Sequence, residues 1–152
     1  MYIFEESVSI YCDIDLGDKD IQAESYLIVD NVVARNINVV KNMTAYGDIE
    51  AEIITANSIV AKSIEANRII SHNDVRVKKK IKAENLNAWN VEANRIKVDT
   101  ITCMNMVAQS IRAKEILYNA YCIAYRVLRC PKIQSNREQH ICVCIDKNKF
   151  ID

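Results

Sequence analysis

From Ile49 onward the chain repeats a block of five residues, large-x-small-x-x, and few backbone architectures can bury such a period. The blocks IEAEI, ITANS, IVAKS, IEANR and IISHN set Ile49, Ile54, Ile59, Ile64 and Ile69 five apart, with Ala51, Ala56, Ala61 and Ala66 two places behind. After a slip the register resumes at Ile81, Leu86, Val91, Ile96, Ile101, Met106, Ile111 and Ile116. Their small partners are Ala83, Ala88, Ala93, Val98, Cys103, Ala108, Ala113 and Tyr118. The same unit recurs less regularly upstream, at Ile21/Ala23, Leu27/Val29, Val32/Ala34, Ile37/Val39 and Met43/Ala45. On an α-helix a step of five turns successive large positions by about 140°, so they form no stripe. On a straight strand an odd step sends every second one to the opposite face.

A coil buries the pattern. A short extended piece places the large and small residues of a block on one face, and the last two residues turn a corner. Repetition then directs every large and small residue at a common axis. Four sides close in roughly twenty residues, and stacking at about 4.8 Å gives about five coils, a rod roughly 25 Å tall. Composition agrees with a sheet, because 23 Ile and 14 Val stand against 5 Leu, and β-branched side chains suit a pleated surface. Large beside small is how a narrow β interior is filled. With only 2 Gly in the chain, Asn57, Asn67, Asn90 and Asn94 are the residues expected to adopt unusual corner angles.

The stretch from about residue 21 to 123 resembles the pentapeptide-repeat family. The resemblance implies an all-β, right-handed quadrilateral parallel β-helix with terminal capping strands. The order is inverted here, since the family reads small, then Asp or Asn, then large Leu or Phe, whereas this chain reads Ile-x-Ala. Some members mimic duplex DNA and bind topoisomerases, which makes that activity the alternative the resemblance implies.

Three segments are expected: a capping strand over 1–20, the repeat helix over 21–125, and a cap or association segment over 126–152. In the first, Val8, Ile10, Cys12, Ile14 and Leu16 alternate with polar residues as a single strand would. In the last, HICVCI is apolar on both faces, so it either pairs with its own coil or seeks cover from another subunit. Ile141, Val143 and Ile145 are accordingly candidate contact residues, as is Trp89, which falls at an outward corner.

Twenty basic and twenty acidic residues cancel, so no net field draws the chain to nucleic acid or to an anionic membrane. The sum hides a division, because residues 1–30 hold eight acids and one base while 31–152 hold nineteen bases and twelve acids. Opposite ends of opposite sign favour head-to-tail contact or an antiparallel pair. The run Arg76, Lys78, Lys79, Lys80 and Lys82 is read as a solvated bulge at the slip. No signal peptide or membrane-length apolar run is visible, so a cytoplasmic location is expected.

Enzyme signatures are scarce. His72 and His140 are the only histidines, and no phosphate-binding glycine loop or activated nucleophile is recognisable. His140, Cys142, Cys144 and Cys130 could be drawn as a zinc set. They lack the turn that usually separates paired ligands, and packed, reduced thiols are the preferred reading of all six cysteines. The expectation is therefore a non-enzymatic structural or interaction scaffold without cofactor or metal. Its partner would be a second copy, bound as a homodimer or end to end, or an unidentified protein.

Overall fold

The computed structural model describes residues 2–5, 8–10 and 12–145. Among them fourteen strands follow one another: β1 (Tyr2–Phe4), β2 (Val8–Ser9), β3 (Ile14–Asp15), β4 (Ile21–Ala23), β5 (Leu27–Val29), β6 (Val32–Val33) and β7 (Asn36–Val39). They continue as β8 (Asn42–Ala45), β9 (Asp48–Ala56), β10 (Ser58–Ser71), β11 (Asp74–Arg112), β12 (Glu115–Arg129), β13 (Lys132–Ser135) and β14 (Ile141–Cys144). The pairings between them are parallel, within one sheet. The chain is thus a parallel β-solenoid of about 9 turns of ~16 residues. No helix among the described residues is long and apolar enough to cross a membrane.

Three inward columns run along the rod. Ile21, Ile37, Ile54, Ile69 and Leu86 stack rung upon rung on one wall, side A. Leu27, Met43, Ile59 and Val75 do so on side B, and Val32, Ile49, Ile64 and Ile81 on side C. The coil therefore closes over three large-x-small units rather than four, and the rod is roughly 40 Å tall rather than 25. Three sides leave a narrow lumen, which the facing Ile and Ala side chains fill while keeping every large position buried.

All twelve large positions from Ile49 to Ile111 are 2% exposed or less. Each contributes about 2 kcal/mol of burial. Ala56, Ala61, Ala66, Ala88, Ala93 and Ala108 are buried with them. Ala51, Ala83 and Ala113 are only half-buried, and all three lie on side C, whose other small residues, Ala34, Ala66 and Val98, are buried. At that wall the corner opens into a surface groove.

The slip after Ile69 conceals an ordinary side. Val75 and Val77 are buried on side B, reached by a six-residue step that a strict period of five misses. Two corners each take an extra residue: Ile54 pairs with Ile69 but Ile59 with Val75, and Ala61 pairs with Val77 but Ser63 with Lys80. The basic run there lies within β11 and is exposed, part of the wall rather than a loop.

The amino end is not a strand laid over the first coil. The chain bends at Cys12, and β1, β2 and β3 stack on β4, β5 and β6 as a first coil in the same three columns. Parallel stacking satisfies more backbone groups than one transverse cap would. Tyr11, part of the expected strand, lies outside the described residues.

The corners are turned without unusual angles: among the described residues no residue other than glycine has positive φ, and Gly17 alone does, at 58°. Asparagine acts by stacking instead. Asn57 Nδ2 donates to Asn42 Oδ1 (3.1 Å), Asn73 Nδ2 to Asn57 Oδ1 (2.8 Å), Asn90 Nδ2 to Asp74 Oδ1 (2.8 Å) and Asn105 Nδ2 to Asn90 Oδ1 (2.7 Å). Repeated amides one rung apart can satisfy each other, which tightens successive corners. Asn67 and Asn94 take no part and are exposed on side C. Gly47 is required for a different reason: a Cβ there would collide with Asn31 Oδ1, which accepts from the Asp48 backbone N–H at 2.6 Å.

Candidate interaction surface at the carboxyl end

On side B the amide ladder stops at Asn105, whose Oδ1 is buried without a partner among the described residues. The next rungs in that column are Tyr121 and then Ile141. From here the outer wall turns apolar. Val107, Ile123 and Val143 stack in the neighbouring column, and Ile145 donates its backbone N–H to the Ala124 carbonyl at 2.7 Å. Strand β14 thus pairs with its own coil, the simpler of the two expectations for HICVCI. Yet Ile141 is 57% exposed, Val143 36%, Ile145 41% and the adjacent Tyr125 42%. Alternation along the strand turns these residues outward, and no described residue covers them.

Inward, Cys142 and Cys144 lie over Cys122 and Ala124. Thiols and an aromatic ring thus replace isoleucine at this end of the lumen. Tyr118 is buried at 2% exposure, and its hydroxyl is 2.6 Å from His140 Nδ1, with the rings edge to face at 5.5 Å between centroids. Burial, and then the neighbouring Cys142, pushes the Tyr118 hydroxyl up to about 12. Burial also pushes the Cys103 thiol up to about 12 and raises those of Cys122 and Cys130. A thiol held protonated is a poor nucleophile and a poor metal ligand.

The proposed zinc residues do not converge. Cys144 Sγ faces the Arg126 carbonyl at 3.5 Å, Cys130 Sγ the Lys132 carbonyl at 3.2 Å, and His140 engages Tyr118. Among the described residues no three His, Cys, Asp or Glu side chains come together as a metal site. Trp89 is 53% exposed, on the corner between sides A and B, where its backbone N–H donates to the Asn73 carbonyl at 2.8 Å. It sits several coils from β14 and is not part of the terminal patch.

The thiol environments make a testable pair. In the native protein at neutral pH, iodoacetamide should alkylate exposed Cys12 and Cys142 first. Cys103 and Cys122 should stay protected, because they are buried and protonated until the pH approaches their raised values. Peptide mass mapping reads the order, and early modification of Cys103 would contradict its place in the lumen.

Fold and surface together define a repeat β-solenoid with an apolar row at its carboxyl end that no described residue covers. No protein-family model matches the chain, and no curated protein or solved structure matches it either. Two features escaped the sequence reading. The Tyr118–His140 contact spans 22 residues and follows no spacing rule. The two side-chain ladders were legible in principle, as Asn42, Asn57 and Asn73, and then Asp74, Asn90 and Asn105, recur at 15 or 16 residues, once the coil length is known.

Proposed function

We propose that the protein is a non-enzymatic scaffold, a rigid β-helical rod that associates with a second copy through its carboxyl end. The observation that carries this reading is the exposed row Ile141, Val143 and Ile145 on β14, a strand that among the described residues is paired on one edge only. An apolar row beside an open strand edge is a template for further pairing. The pentapeptide-like blocks supply the rod, in which neighbouring coils brace one another. The topoisomerase-binding alternative needs a dense acidic surface, and Lys82, Lys97 and Arg112 in the central and later coils work against it.

Val143→Asp tests the reading, because the side chain is outward and the fold should tolerate the charge. By sedimentation velocity at about 0.5 M salt, where contacts made of charge are screened, the full chain should run as an oligomer and the variant should dissociate, with melting curves unchanged. A full chain that is monomeric at its highest soluble concentration would remove the proposal.

A further inference from the structure

Side C is the charged wall of the rod, and the charges of its two outward columns are sorted by sign, whereas the corner beside them is mixed, with Arg35 and Glu52 in the amino half and Glu84 and Asp99 in the carboxyl half. Its two outward columns flank the inward large residues. One aligns Asp15, Val33, Glu50, Glu65 and Lys82 and continues through Lys97 to Arg112 and Arg129. The other holds Asp13, Asn31, Asp48, Ser63 and Lys80, then Arg95. In the amino-terminal half the exposed charges are Asp13, Asp15, Asp48, Glu50 and Glu65, with no base among them. In the carboxyl half they are Lys80, Lys82, Arg95, Lys97, Arg112 and Arg129, with no acid. Both columns change sign at the same rung. The corresponding outward columns of sides A and B carry mainly Asn, Thr, Ile and Val.

Like charges one rung apart repel, so this arrangement costs the isolated rod stability. Of the eleven, only Glu65 and Lys82, at the junction, form an ion pair among the described residues, at 3.0 Å. A groove of about 420 Å³ in the basic half is lined by five cations and no carboxylate. A polyanion such as nucleic acid, or an anionic membrane, would suit that half alone and be repelled by the other. A second copy, reversed end for end, suits both.

We infer that side C is an isologous interface on which two copies pair antiparallel, about a two-fold axis along the strands between Glu65 and Lys82. That operation preserves the columns and reverses the rungs, so Glu50 meets the other copy's Lys97, Asp48 its Arg95 and Asp15 its Arg129. The charges match in pitch as well as sign, because both copies repeat at the same inter-strand spacing. Each pair occurs twice by symmetry. Unlike the carboxyl-end contact, this one is made of charge and is disrupted by salt.

Sedimentation velocity of the full chain carrying Val143→Asp isolates this contact from the apolar end. At low salt a dimer is expected, dissociating at about 0.5 M salt, where screening reaches within roughly 4 Å. Glu50→Lys alone, and Lys97→Glu alone, should each weaken it about tenfold or more. The double variant, which exchanges the two charges across both symmetry-related pairs, should restore it. Both residues are exposed, so melting curves should stay near the parent's. A monomer at low salt, indifference to the single reversals, or a double variant no tighter than the singles would overturn the interface. So would a monomeric chain whose basic half binds oligothymidylate or phosphatidylserine vesicles and loses that binding in Lys97→Glu. Loss of the end contact alone would leave these results unchanged.

Discussion

Ile59→Asp should leave the protein unfolded. Ile59 is 0% exposed in the inward column of side B, between Met43 and Val75. The substitution forfeits about 2 kcal/mol of burial and adds several kcal/mol for a carboxylate without a partner. Against a total stability of about 5–15 kcal/mol, little of the native population survives. Val60→Asp, one residue along and 43% exposed, should be accommodated because it faces water. Far-UV circular dichroism and thermal melting separate the two. If Ile59→Asp stayed soluble with an unchanged melt, the common axis of the fivefold repeat would be wrong.

Ala61→Leu is the second large effect. Ala61 is 2% exposed on side B, where it aligns with Val77. Three added carbons have no void to enter, so the cost is about 1–3 kcal/mol, a fall of several degrees in melting temperature. Ala83→Leu looks identical in sequence, since both alanines close a large-x-small unit. On side C, however, Ala83 is half-buried and lines the open groove, and there the larger side chain should change stability by about 0.5 kcal/mol or less. Equal losses at both positions would mean that the three walls are equivalent.

That contrast marks where sequence reasoning stopped. The inward identity of Ile49 through Ile111 was legible because alternation along an extended piece is a local property of the backbone. Val75 and Val77 are hidden from a strict period of five because the corners on either side of them each hold an extra residue. The amino end misled for a related reason: alternating Val8, Ile10, Cys12, Ile14 and Leu16 satisfies a straight strand equally well, and the bend at Cys12 has no sequence signature. The exposed row of β14 was half legible. Its apolar residues were visible, but which of them faced water depended on the rung beneath.

The order of residues alone determined that this chain coils, that the large residues spaced five apart from Ile49 to Ile111 face inward, and that the two ends differ in charge. Those consequences need only the two-residue alternation of a strand and the five-residue block. The tertiary structure decided that a coil of ~16 residues carries three inward columns, and therefore which distant residues share a column. The turn at each corner is set by how tightly Ile and Ala fill the lumen, a collective packing property that no single block contains. Charges that look scattered along the chain become a sorted face only when that closure places Glu50, Glu65 and Lys82 one above another.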